Sequence, residues 1–298
     1  MGTIRAQSVI LGCGGFGASP EMRARYLGPG WDLVKVRGSP NNTGDGLRMA
    51  LDIGAQPFGH YSGAHASPID SDAPEMSAAF LKPGSRDLVT HRYFWHLGIS
   101  VNTQGQRFFD EGEDFHNYTY AKTGRQILQQ PGGVAYQIFD AKVIQLVPDH
   151  FYKGATPTVA NTIEELANNL GISREGLVTT VAGFNAAVVD DRPFNPVAKD
   201  GRRTQGITPA KTNWSQTIDA PHYTAYGMAC GLTFTFGALK INPRCQVLNT
   251  QEQVIPGLYA CGEMTGGFFY HNYPGGSGLV RGAVTGRIAG RNAAAERS

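Results

Sequence analysis

Apolar positions in this chain fall into short bursts that stop at glycine, separated by stretches with helical spacing. Val9-Ile10-Leu11 runs into Gly12-Cys13-Gly14-Gly15-Phe16-Gly17, the pattern of a buried strand whose end meets something closely. Ser19-Pro20-Glu21 opens a helix with a hydroxyl cap, a proline suited to the first turn and an acid. Val34 to Gly38 predicts a short strand. Asn42-Thr43-Gly44-Asp45-Gly46 predicts a turn into a helix over 47–53, ended by Gly54. From about residue 59 the texture changes. His91 to Val101 is aromatic and β-branched and predicts a strand, with Asn102-Thr103-Gln104-Gly105 as the hairpin turn after it. Thr162, with Glu165 three residues on, caps a helix that Gly171 ends, and 173–189 predicts a second helix. Residues 190–219, with Pro193, Pro196, Gly201 and Gly206, predict an irregular connection. After 220 the strand-and-glycine texture returns. Residues 232–239 are strand-like, Gly257 to Glu263 is a short apolar strand ending in Gly-Glu, and Tyr273 to Gly278 is a glycine loop feeding a helix from Leu279 to about Ala295. This layout predicts an outer domain made of 1–58 and 220–298, with 59–219 inserted into it.

Composition narrows the function classes. Charged residues are 17% of the chain and the net charge is +2, without a Lys/Arg run, so a nucleic-acid groove is not expected. No apolar stretch reaches the length of a membrane span, and the N-terminus lacks the pattern of a secretory signal. Cys13, Cys230, Cys245 and Cys261 form no C-x-x-C pair, which suits free thiols in a reducing, cytoplasmic setting. No H-E-x-x-H or G-x-S-x-G occurs, so neither a zinc site nor a serine nucleophile elbow is expected.

The glycine loop at 274–278 opens a long helix, whose first amides lack internal partners and carry the positive end of the dipole. They can face the electron-rich N1–C2=O edge of a flavin, or simply form a tight turn on a sheet. Glu263, at a strand end after Gly262, suits a hydrogen bond to a sugar-like hydroxyl, or is a solvated loop acid. Gly12-x-Gly14-x-x-Gly17 matches a dinucleotide fingerprint by letter only, because Pro20 and Glu21 fit poorly and no acid closes a strand near position 36. Phe269 to Pro274 places aromatic rings and donors, His271 among them, beside the glycine loop. Asp114 to Tyr120 is a second polar and aromatic run, either functional or a surface hairpin. Thr233-Phe234-Thr235-Phe236 alternates as a strand, with both threonines on one face.

Together these segments resemble the fumarate reductase/succinate dehydrogenase flavoprotein superfamily, and look closest to its tricarballylate dehydrogenase-like branch. The resemblance rests on Pro256 to Gly267 with His271 to Leu279, on Asn41 to Gly46 after Ile10 to Phe16, and on Asp114 to Lys122 with Thr233 to Gly237. It implies an α/β fold with an α+β cap: a glutathione-reductase-like FAD-binding domain, here partial, with an inserted capping domain. It implies FAD as cofactor, with Gly14 and Gly15 near it, Asp45 in contact, Glu263 on the ribityl chain, and Ser277, Gly278 and Leu279 at the isoalloxazine. His271, Tyr273, His116 and Tyr118 become candidate proton-transfer groups, and His65, Thr90 and Thr235 candidate substrate-positioning groups. The substrate would be a small carboxylate or ketone.

Departures from the family pattern bear on the chemistry. Thr90 is kept, but His91 stands where a relay Glu is expected and Phe94 where an Arg is. The general-acid Arg position falls near Phe115-His116. A substrate-binding His pair becomes Thr233-Phe234, and a substrate-binding Arg becomes Tyr273. Dicarboxylates need such cationic partners, so fumarate is not the expected substrate. The resemblance also implies that the strand, G-x-G-x-x-G turn and ribose-binding acid that open the family's FAD domain lie outside this chain. A separate N-terminal partner chain, a fragment, or a decayed gene would each account for that. A non-catalytic remnant, or a subunit completed by a partner or by self-association, is therefore the alternative to an enzyme.

Overall fold

The computed structural model describes residues 3–76 and 91–296. In chain order the elements are β1 (Val9–Leu11), α1 (Pro20–Leu27), β2 (Lys35–Val36), α2 (Asp45–Asp52), β3 (Pro57–Phe58) and β4 (Ala64–Asp70). There follow β5 (Ile99–Asn102), α3 (His116–Leu128), β6 (Val134–Phe139), α4 (Ala141–Ile144), α5 (Asp149–Tyr152), β7 (Thr158–Ala160), α6 (Ile163–Leu170) and α7 (Arg174–Ala187). The chain ends with β8 (Tyr223–Thr235), β9 (Ala238–Leu239), β10 (Gln246–Leu248), β11 (Val254–Ala260) and α8 (Ser277–Ala295). It divides into two units, one formed by 1–65 and 232–298, the other by 66–231. Both divisions fall inside strands, β4 and β8, later in the chain than the changes of texture at 58/59 and 219/220.

In the first unit β1 runs parallel to β11, with Val9 opposite Leu258, Ile10 opposite Tyr259 and Leu11 opposite Ala260, and β10 pairs antiparallel on the other side of β11. Helix α8, rich in small residues, lays Ala289 and Ala293 on Tyr259 and Cys245. Ser19 caps α1 by accepting from the Met22 amide at 3.3 Å. In the second unit β6 lies between β5 and β8, and β7 adds to β8. Helices α6 and α7 close the core with Leu166, Leu177, Val181 and Phe184 against Ile99, Val101, Ile138 and Ala225. Thr162 caps α6 by accepting from the Glu165 amide, while the Glu165 carboxylate accepts from the Asn161 amide. No helix among the described residues is long and apolar enough to cross a membrane.

Three expectations need correction. Residues 91–101 are not one strand: Trp95–Leu97 forms a 3-10 turn and β5 begins only at Ile99. A Cβ at Gly98 would lie 3.0 Å from the Ile138 carbonyl carbon and 2.9 Å from the Phe139 ring, so glycine is what lets the chain bend onto β6 here. The run from Asp114 is not a hairpin, because His116 opens the 13-residue helix α3. Glu263 lies past the end of β11, in a 3-10 turn over Gly262–Met264.

Candidate functional site

Because β1 and β11 are parallel and in register, their carboxyl ends deliver two turns side by side, the usual place for a ligand in an α/β sheet. The β1 turn is Gly12-Cys13-Gly14-Gly15, with Gly14 in the left-handed region at φ 85°. The β11 turn presents Glu263. One carboxylate oxygen accepts from the Thr235 amide at 2.8 Å and the Thr235 hydroxyl at 3.1 Å, and the other from Asn42 Nδ2 at 3.2 Å. A Cβ on Gly15 would stand 2.9 Å from Glu263 Cδ and closer still to Thr235 Oγ1. Burial pushes the Glu263 carboxyl up from its ordinary value, opposed by the hydrogen bonds from Thr235 and Gly15 and by the charge of Arg281. Among the described residues, Asn42 Oδ1 is buried without a hydrogen-bond partner. Asp45 opens α2 on the surface. It accepts from Thr43 Oγ1 at 2.7 Å and pairs with Arg48, and these hold it below its ordinary range, the Thr43 bond foremost.

The second glycine turn leads into α8. Gly276, at φ 84°, precedes the helix with no side-chain cap, and the first turn holds no acid to meet the positive dipole end. Ser277, half-buried, donates its hydroxyl to the Pro274 carbonyl at 2.6 Å. Leu279 is exposed. The Cβ position of Gly278 is 3.5 Å from the Phe234 ring and 3.7 Å from Tyr273. The two glycine turns thus border consecutive residues of β8, Gly15 at Thr235 and Gly278 at Phe234.

Aromatic side chains gather beside this turn. Tyr273, buried, packs on His65 at 4.6 Å and on Phe234 and Phe269 at 5.2 Å each, and its hydroxyl accepts from the Gly276 amide at 3.4 Å. His271, in contrast, is exposed and left-handed at φ 62°. Its amide donates to His60 Nδ1 at 3.1 Å and its ring packs on His60. Thr235 commits both its amide and its hydroxyl to Glu263.

In the second unit His116 stands at the start of α3, stacked on Tyr93 at 5.0 Å, and burial pushes its pKa down. Tyr118, two residues on, is 56% exposed. Thr90 lies outside the described residues. Sequence reasoning passed over four residues: Asn42, because an asparagine before Thr-Gly is an ordinary turn residue; His60 and His96, lone histidines; and Arg281, which reads as a solvated helix charge. The spacing of Arg281 three residues after Gly278 was the available signal.

The sequence profile of the FAD binding domain family matches residues 2–280. This chain belongs to that family. Its relatives include the probable fumarate reductase Ifc3 of Shewanella frigidimarina, 34% identical over 303 residues that cover 98% of this chain and 45% of the relative. Among solved structures, the open conformation of a flavocytochrome c3 fumarate reductase aligns with a TM-score of 0.68 at 29% identity, covering 97% of this chain and 46% of the other. A 3-ketosteroid delta1-dehydrogenase from Sterolibacterium denitrificans, in complex with 1,4-androstadiene-3,17-dione, aligns at 0.71 and 26%, covering 97% and 53%. The chain therefore lies in the fumarate reductase/succinate dehydrogenase flavoprotein superfamily, has its mixed α/β FAD-binding fold, and spans about half the length of these relatives. FAD is its cofactor. The donor set fits that group: a side-chain-free cradle at Gly14 and Gly15, an acceptor without a donor at Asn42 Oδ1, a carboxylate at Glu263, and an uncapped helix N-terminus at α8.

Proposed function

We propose that the chain is the flavin-facing part of an FAD-dependent oxidoreductase acting on a C–C bond adjacent to a carbonyl or carboxylate. The observation that carries this is Tyr273, buried among aromatic rings and touching the glycine turn of α8. Bound FAD supplies the hydride acceptor or donor. Glu263 and Asn42 hold hydroxyl groups of the cofactor, and the α8 N-terminus favours negative charge on it chiefly at Gly278, the Ser277 and Leu279 amides donating to the Pro274 and Gly276 carbonyls. A proton must reach or leave the neighbouring carbon, a step worth roughly 10²–10⁴ in rate. Tyr273 Oη is the favoured group, because His271 faces solvent and its amide is taken by His60. His116 and Tyr118 are the candidates of the second unit.

A tricarballylate-like substrate would need cations for three carboxylates. Thr233, Phe234 and Tyr273 provide none, and His116 is pushed toward its neutral form. We therefore favour a ketone or a monocarboxylate. The similarity to a ketosteroid dehydrogenase that holds a neutral dione supports the carbonyl arm. Free thiols at all four cysteines suit the cytoplasm. The test is reoxidation of the dithionite-reduced, FAD-loaded chain by an α,β-unsaturated ketone, an unsaturated monocarboxylate and fumarate. The enone or monocarboxylate should react at least about tenfold faster than fumarate, and Tyr273→Phe should slow it about 100-fold with flavin absorbance intact. Fumarate as the fastest oxidant, or an unaffected Tyr273→Phe, overturns the reading.

A second reading has its own observation. Val9 and Ile10 of β1 are exposed, as are Leu279, Val280 and Val284 of α8. An apolar strand and helix face of this kind suits a further polypeptide, a second chain or another copy, that completes the FAD site. Under it, the isolated chain self-associates on size exclusion and takes up FAD only with that partner. A well-behaved monomer that turns yellow alone removes it.

A further inference from the structure

Among the described residues, the other enclosed arginines make ion pairs or several hydrogen bonds. Arg92 pairs with Asp70, and Arg107 with Glu111. Arg23 reaches the carbonyls of Gly17, Asp32 and Val34, and Arg202 pairs with Asp190 and donates to the Ser215 carbonyl. Arg281 is met more sparsely. It is only 6% exposed, its Nη1 donates to the Thr265 carbonyl at 3.3 Å, and its buried Nε has no hydrogen-bond partner among the described residues. Among the described residues no carboxylate stands within ion-pair distance of it, although the charge of Glu263 reaches it through the site. The rings of Phe269, Phe234 and Phe268 surround the guanidinium at 4.9, 5.4 and 5.9 Å, which offsets part of the lost hydration but satisfies none of its donors. Enclosing a charge this way is costly unless something else meets it.

Its position ties that charge to the flavin site. Arg281 follows Gly278 by three residues, so it lies on the same face of α8, one turn inside the uncapped N-terminus. The Phe234 ring that flanks the Gly278 Cβ position also flanks the guanidinium. Thr265, its one hydrogen-bond acceptor, is two residues beyond Glu263. The charge thus sits behind both turns assigned to the cofactor.

We propose that Arg281 is a positioning residue of the flavin site, supplying with the α8 N-terminus the fixed positive charge that favours the reduced, negatively charged flavin; the proposal rests on the FAD reading above. The test uses the full chain in two states. In the FAD-loaded state, Arg281→Gln should weaken the preference for reduced over oxidised flavin about tenfold, a midpoint potential ~30 mV lower for a two-electron couple, while Arg281→Lys retains most of it. In the flavin-free state, Arg281→Met should melt at or above the wild-type temperature, because a neutral side chain of similar length relieves a desolvated charge that only Glu263, beyond ion-pair distance, offsets. A loaded Gln variant with the wild-type potential overturns the proposal and leaves the FAD reading standing. A flavin-free Met variant melting several degrees low also overturns it, by marking Arg281 as structural glue. A wild-type chain that takes up no FAD, with or without a partner, ends both.

Discussion

Glu263 and Thr235 can close on each other because Gly15, between them, has no side chain. A methyl group there would stand inside contact distance of Thr235 Oγ1 and 2.9 Å from Glu263 Cδ, and both belong to a packed strand and turn that cannot swing away. Gly15→Ala should therefore weaken FAD binding at least about tenfold, about 1.4 kcal/mol, in a flavin fluorescence titration. Gly276 makes the contrast: its Cβ would meet nothing within 4 Å, so Gly276→Ala carries only the strain of its left-handed φ, about 1–2 kcal/mol, read in thermal stability. Glu263 itself makes a pH prediction. Its pKa in the folded chain is raised above the ordinary 4.5 by burial, so the folded state holds its proton longer than the unfolded state does. Stability from this group is present at low pH and lost as pH rises through the raised value. Glu263→Gln should thus gain on the flavin-free wild type as pH rises from about 4.5, as read by urea midpoints. A constant difference between the two would show that the carboxylate is not desolvated.

Among the elements, the legible ones announced their own ends. Ser19, Thr162 and Ser173 each accept from the amide three residues on, and Gly171 closes α6 in the left-handed conformation, as residue types alone predict. Thr162→Ala should accordingly cost about 1 kcal/mol in urea unfolding, and Thr162→Ser almost nothing. Elements whose form comes from distant contacts were misread. Residues 91–101 have strand composition, yet Trp95 and Leu97 are buried in a 3-10 turn, because burial rewards those side chains more than strand pairing rewards the backbone. Helix α3 follows Phe115, which gives it no capping side chain, and its first turn, His116-Asn117-Tyr118-Thr119, shows no apolar period. The site divides along the same line. The glycine turns and Glu263 are visible because geometry demands those residue types. Asn42 and Arg281 are ordinary residues made unusual only by what the fold buries around them.

For the molecule as a whole, buried bases set the response to acid and alkali. His96 is enclosed against Trp214, and desolvation, with the charges of Lys211 and His116 adding, pushes its pKa down to about 3. Lys211, wholly buried with its Nζ on the Gly98 carbonyl at 2.6 Å, is pushed down to about 8 by desolvation. Both folded-state values lie below the unfolded ones of 6.5 and 10.5, so in each window the unfolded chain binds more protons. Stability is then present above the unfolded value and lost as pH falls through the window, from 6.5 toward 3 for His96 and from 10.5 toward 8 for Lys211. One such group changes stability by about 1.4 kcal/mol per pH unit well inside its window. His116, also lowered, adds to the acid limb, so removing His96 should flatten that limb without abolishing it. Urea unfolding at pH 6 and pH 5 should show the wild type losing about 1 kcal/mol more than His96→Phe, whose ring keeps the packing on Trp214 but takes no proton. Equal losses in the two proteins would mean that His96 is already charged in the folded chain, and that water reaches the ring where the structure encloses it.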